Sequence, residues 1–196
     1  MKADDIKRLA TDPSWWPSGP WWTREAARAF LRGDFLLIPG RLDADLYVAR
    51  FWLSAAVRRP SDQPSGEAIE SGDSLLLHFF ARPDDDGALH DHPWDFRTTI
   101  LTGSYCELVP SAKWMPDIDH GLGPSLGEAT SLMRTQGDIV GHRSTDLHAV
   151  ESVSADTWTL VRTGPRVREW GFHPPGQRWI GYRAFLDAKK PQAVTA

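Results

Sequence analysis

From residue 35 onward the chain breaks into short apolar runs, each closed by a turn signal, and this spacing restricts the fold more than any other feature. Phe35-Leu36-Leu37-Ile38 and residues 45–53 are rich in aliphatic, aromatic and β-branched side chains. Comparable runs follow at 74–81, 88–92, 97–109, 128–134, 138–142, 145–153, 156–163, 167–172 and 178–183. Asp86-Gly87, Gly137-Asp138, Gly164-Pro165 and Pro174-Pro175-Gly176 punctuate them. Gly supplies turn conformations that other residues avoid, and Pro cannot donate to a β ladder. Many short strands at even spacing predict an all-β chain folded as a small barrel or jelly roll. Helix signals are confined to the N-terminus: a short helix over 3–10, and a second from Arg24 to Arg32, capped by Thr23 and closed by Gly33.

At 196 residues the chain suits one domain with a substantial core. The reading divides it into a Trp-rich helical arm at 1–34, a barrel over 35–188 and a frayed tail at 189–196. A net charge of −4 and no dense Lys/Arg stripe argue against nucleic acid as a partner. Cys106 is the only cysteine, which excludes an internal disulfide and suits a reducing compartment. The N-terminal residues lack the apolar run of a secretory signal, and no stretch has the roughly 20 apolar residues of a membrane span. A cytoplasmic location and no membrane contact are the expectation. Four of the ten tryptophans fall between Trp15 and Trp22, in a segment read as irregular because of its Pro and Gly content. Four exposed indoles would be costly, so this arm is expected against the barrel or a second subunit.

Chemistry concentrates in His90-Asp91-His92. On an extended run, residues two apart share a face, so the two imidazoles point together. Imidazole is a ligand for first-row transition metals, and two side by side make half a site. His148, in Asp146-Leu147-His148-Ala149-Val150-Glu151, completes a candidate triad.

These residues resemble the cupin superfamily. His90, His92 and Gly103 match its first motif; Gly137, Arg143, Thr145, His148 and Ser152 reproduce the spacing of its second. The likeness covers roughly residues 74–163 and implies a double-stranded β-helix holding a metal through His90, His92 and His148. The acid usual in the first motif falls at Phe96 or Arg97, neither of which binds metal, while Asp95 lies one residue short. Three histidines without a carboxylate resemble the thiol dioxygenase branch. Leu147-His148-Ala149-Val150-Glu151 and Thr163-Gly164-Pro165 look like local strings of that branch. No cysteine stands where that branch cross-links one to a tyrosine, since Cys106 lies further along. The resemblance implies iron(II), with zinc, nickel or manganese as other ions the imidazoles would accept.

Three neutral imidazoles leave the full 2+ charge on a metal, which favours an anionic, chelating substrate. Open coordination positions beside that substrate would suit O₂, and a dioxygenase acting on a small anionic metabolite is the leading expectation. A non-redox isomerase, epimerase or lyase and a ligand-binding barrel without turnover are the alternatives. Arg162 is expected to face the cavity, because Trp158, Leu160 and Arg162 alternate on one strand; Arg50 resembles an early-strand carboxylate-binding arginine of the branch. Guanidinium groups hold carboxylates in bidentate geometry. Trp158 and Tyr182 join the expected substrate-binding set, and Trp94 and Tyr182 either line the pocket or simply pack. Asp95 either hydrogen-bonds a ligand imidazole or caps a turn. His142 and His173 are candidates to orient a ligand imidazole from behind, His78 reads as a core histidine and His120 as solvent-facing. Homodimerisation is implied by the resemblance and by the Trp-rich arm.

Overall fold

A computed structural model describes residues 19–40, 45–54, 73–111 and 129–189. Helix α1 covers Trp21–Leu31 and α2 covers Tyr182–Lys189. Between them run twelve strands: β1 Phe35–Pro39, β2 Leu46–Ser54, β3 Ser74–Phe80, β4 Leu89–His90, β5 Phe96–Thr102 and β6 Ser104–Pro110. Then come β7 Ala129–Thr135, β8 Ile139–His142, β9 Ala149–Val153, β10 Thr157–Thr163, β11 Gly171–His173 and β12 Ile180–Gly181.

The first sheet has the order β1-β2-β3-β10-β5-β8. The second consists of two three-stranded pieces, β12-β11-β4 and β7-β6-β9, which meet where His90 bridges His148. The His90 amide donates to the His148 carbonyl at 2.8 Å, and the His148 amide returns the bond at 3.0 Å. Strands β3 to β10 therefore pass back and forth between the sheets, except for the β6–β7 hairpin within the second, giving the orders β3-β10-β5-β8 and β4-β9-β6-β7. That is an antiparallel jelly roll, and the fold is a cupin-type double-stranded β-helix.

Helix α1 covers part of the outer face of the first sheet, and the inner face lines the barrel. On the outer face, Ala26 and Ala29 of α1 pack on Ala49, Phe51, Leu77, Phe79 and Trp158. On the inner face, Val48, Leu76, Phe80, Thr98, Thr159 and Val161 line the barrel cavity. Period-2 alternation sends odd-numbered residues of β10 inward and even-numbered ones outward.

Several boundaries differ from the sequence expectation. Helix α1 begins at Trp21, with Pro20 as its cap residue; Thr23 lies inside the first turn, where its hydroxyl donates to the Pro20 carbonyl at 2.8 Å. Trp21 and Trp22 are thus helical, Trp22 packing on the core under α1. Its C-terminus behaves as expected: Gly33, at φ 76°, closes the helix, with the Asp34 amide on the Ala29 carbonyl at 2.8 Å and the Gly33 amide on the Phe30 carbonyl at 3.0 Å. The run 97–109 is two strands, split at Gly103 with φ 72°. The run 178–183 is a two-residue strand feeding α2, so helices stand at both ends of the barrel. The helix expected over 3–10, Trp15, Trp16, His120 and the tail after Lys189 lie outside the described residues. No helix among those described is long and apolar enough to cross a membrane.

Candidate metal centre and cavity

The three histidines of the expected triad converge. One ring nitrogen from each of His90, His92 and His148 falls within a cluster whose atoms lie within 4.8 Å of one another. His92 Nε2 and His148 Nε2 stand 2.8 Å apart. Neighbouring nitrogens bound about 2.1 Å from one ion sit about 3 Å apart, so this spacing, which also suits a hydrogen bond between the rings, is compatible with two ligands sharing a metal. His92 is half-buried, and desolvation, followed by the nearby His148 and His90, holds its imidazole well below the ordinary range. A neutral imidazole keeps the lone pair that a metal needs.

Behind His148 lies a second layer the sequence reading missed. Glu107 of β6 is fully buried. Its Oε1 accepts from His148 Nδ1 at 2.8 Å and from His142 Nε2 at 3.0 Å. Its Oε2 accepts from Arg134 Nε and Nη2, each at 2.9 Å. Burial pushes this carboxyl up, but the hydrogen bonds from His142 and His148 outweigh it and hold Glu107 well below the carboxylate range. Glu107, His142 and His148 form a second close cluster of potential ligand atoms. A signal for Glu107 existed: it is two residues from Tyr105, so a strand that buries the tyrosine also turns the carboxylate inward.

A further, half-buried pair flanks His90. Tyr47 donates its hydroxyl to Asp84 Oδ1, and the Val150 amide donates to Asp84 Oδ2 at 2.7 Å. Asp84 Oδ2 lies 3.8 Å from His90 Nδ1. Burial raises the Asp84 carboxyl, and burial followed by the facing Asp84 charge raises the Tyr47 phenol.

The cavity in front of the histidines leaves about 90 Å³ open to the centres of water-sized molecules, enough for several waters or a small metabolite. Tyr47, Arg50, His78, Asp84 and Trp94 line it. In register across three strands, Arg50 pairs with His78 and His78 with Thr159, making a polar row on a largely apolar wall. Desolvation, then the nearby Arg50, keeps His78 neutral. Thr159 Oγ1 is buried in that wall without a hydrogen-bond partner.

Other expected site residues stand elsewhere. Arg162 points out of the barrel, 70% exposed, and pairs with Asp73 at 2.8 Å. Trp158, in the same phase of β10, stacks with Phe51 at 6.0 Å between ring centroids, under α1. Alternation along the sequence suggests that even-numbered residues face inward, but both faces of β10 carry apolar groups, and the coverage by α1 decides the phase. Tyr182 stacks on Trp170 at 4.8 Å, and Trp170 lies between it and His90, so the tyrosine is one ring removed from the cavity. Asp95 caps a turn, accepting from the Ser144 amide at 2.7 Å, and bonds no ligand histidine. His142 reaches His148 through Glu107. His173 lines an outer cleft beside Asp91 and Arg168. Asp91, between His90 and His92, accepts from the Gly171 amide and from Arg168 at 2.7 Å and from Trp179 at 3.0 Å, tying the His90–His92 segment to β11.

No family model and no curated protein matches the chain. Solved structures do. DMSP lyase DddQ from Ruegeria pomeroyi is 16% identical, over 86% of this chain and 75% of that one, with a TM-score of 0.49. FeII HppE is 12% identical, over 67% of this chain and 57% of that one, at a TM-score of 0.39. The chain thus spans little more than half of the HppE structure it matches. An uncharacterised protein with a double-stranded β-helix domain from Klebsiella pneumoniae is 14% identical, over 59% of this chain and 89% of that one, at 0.37.

Proposed function

We propose that this protein is a metal-dependent enzyme that binds iron(II) at His90, His92 and His148 and oxidises a small anionic metabolite with O₂. The observation that carries the reading is the convergence of the three imidazoles on one point, with His92 Nε2 and His148 Nε2 2.8 Å apart. The donor set fits: His148 Nδ1 is engaged by Glu107, which leaves its Nε2 lone pair facing His92. A bound divalent ion supplies Lewis acidity, and iron(II) also supplies an electron to dioxygen.

The protein's own groups bind and orient the substrate. Arg50 is the one Arg or Lys among the described residues lining the cavity, and it takes the carboxylate. The Thr159 hydroxyl in the next-but-one strand donates to a further substrate oxygen. Phe80, Phe96 and Val161 exclude water from the reacting end. The three-histidine set, with Phe96 and Arg97 where the first motif usually carries its acid, is what resembles the thiol dioxygenase branch.

A second reading, a non-redox isomerase, epimerase or lyase, is favoured by the Tyr47–Asp84 pair beside His90. A phenol hydrogen-bonded to a buried carboxylate can hold and return a substrate proton without any redox step. The test is the metal content of tag-free protein, followed by oxygen uptake with small thiols, amino acids and keto acids. Stoichiometric iron with substrate-dependent oxygen consumption supports the dioxygenase. Turnover of such an acid under strict anaerobiosis replaces it with the second reading. Binding without turnover leaves a ligand-binding barrel.

A further inference from the structure

Glu107 is fully buried, and both of its carboxylate oxygens accept from neighbouring N–H groups. We infer that Glu107 is a positioning residue, which holds His148 as the Nδ1–H tautomer and thereby aims its Nε2 lone pair at the point shared with His92. The inference rests on the reading that His90, His92 and His148 hold a metal.

The geometry assigns Glu107 this place rather than that of a ligand. Its Oε1 lies 2.8 Å from His148 Nδ1, while the opposite ring nitrogen faces His92 at 2.8 Å. The two nitrogens of an imidazole direct their bonds away from each other, so the carboxylate stands behind the ring and the shared point in front of it. Oε2 is occupied by Nε and Nη2 of Arg134, each at 2.9 Å. The arginine balances the carboxylate charge and stops it from rotating. Oε1 also accepts a hydrogen bond from His142 Nε2 at 3.0 Å, so one oxygen fixes two rings.

The arrangement also explains why β6 carries an acid facing the interior. An isolated buried carboxylate is costly, but two imidazole N–H groups and a guanidinium supply what water would have supplied. A carboxylate behind a ligand imidazole raises its basicity and restricts its orientation, and losing such a partner costs about 10- to 100-fold in metal affinity.

The test uses zinc as a diamagnetic probe. In the zinc-loaded, ¹⁵N-labelled wild-type protein, long-range ¹H–¹⁵N spectra should show His148 protonated on Nδ1 and metal-bound through Nε2. Zinc titration should give an affinity about 10-fold weaker for Glu107→Gln, whose amide oxygen still accepts from Nδ1–H, and about 100-fold weaker for Glu107→Met. Glu107→Met should also lose the single-tautomer signature, which Glu107→Gln should keep. A general loss of packing would affect both variants without that difference. Should Glu107→Met fail to fold, adding Arg134→Leu removes the stranded charge, and the wild-type spectrum stands independently of any variant. Zinc bound through His148 Nδ1, or full affinity in a folded Glu107→Met protein, overturns the inference while leaving the metal reading in place. Failure of the wild type to bind zinc, or full affinity in His90→Ala, overturns the metal reading and the inference with it.

Discussion

His148 lies just before β9 in the second sheet and Arg162 on β10 in the first, and the structure makes opposite demands on them. His148 is buried, hydrogen-bonded at one ring nitrogen and aimed at His92 with the other. His148→Ala should abolish stoichiometric metal binding with the fold retained, measured by elemental analysis beside a thermal melt; full metal content would overturn the triad. Arg162 is mostly exposed and its partner Asp73 is also exposed. Exposed ion pairs contribute about 0 to 1 kcal/mol. Arg162→Ala should therefore change stability by no more than about 1 kcal/mol and leave metal content and turnover unchanged. Arg50 is the contrasting arginine, since it lines the cavity. A hydrogen bond to a charged group contributes about 1.5–3 kcal/mol, so Arg50→Met should weaken binding of a carboxylate substrate roughly 10- to 100-fold. An unchanged KM would remove Arg50 from the site.

At the scale of elements, the turn between β5 and β6 and the sandwich under α1 are the sensitive points. Gly103 adopts φ 72°, and a Cβ there would meet Thr157 Cα at 2.8 Å and Ser154 Oγ at 2.9 Å. The left-handed conformation and the crowding add, so Gly103→Ala should cost about 3 kcal/mol in denaturant unfolding. A loss under about 0.5 kcal/mol would show that the β5–β6 turn can relax. The β5 and β6 runs read as one strand because Gly103 is a single residue inside a continuous β-rich sequence. Only the crossing from one sheet to the other gives that glycine its role. Trp158 illustrates the same limit. Its strand alternates, but Trp158 and Leu160 on one phase and Val161 on the other are all apolar. Alternation reveals a face only when the other face is wet. Here α1 covers the outside, so the phase depended on a contact more than a hundred residues away in sequence.

For the whole molecule, the buried imidazoles tie stability to pH. Burial holds His78 and His92 well below the ordinary value of 6.5, so the unfolded chain binds more protons than the native one as pH falls past that value. Stability of the metal-free protein is therefore complete above about pH 6.5 with respect to these groups and declines below it. Glu107 has the same sign at lower pH, its stabilisation being present above the ordinary carboxylate value of 4.5 and lost as pH falls below it. Asp84 opposes them, because burial holds its carboxyl above the ordinary value and acid relieves that cost. His78→Leu isolates one contribution: its urea midpoint should fall less steeply than the wild type's between pH 7 and pH 5. Equal slopes would mean that His78 is not held neutral.

The division between sequence and fold follows the range of the forces involved. Short β-rich runs and their Gly and Pro turns act locally, so the all-β class, most strand positions and the Gly33 helix stop were legible in the chain. The two-residue spacing of His90 and His92 is equally local, which is why their convergence could be expected without a structure. His148 followed from its spacing and its resemblance to a known motif, and the bridge to His90 brings the two together. What lay beyond the sequence depends on which faces become covered and which distant strands become neighbours. The outward aim of Arg162, the burial of Trp158 under α1 and the placing of Glu107 behind His148 all arise when the two sheets close. A buried charge reveals its purpose only through the partners that surround it, and those partners, Arg134, His142 and His148, come from three other segments of the chain.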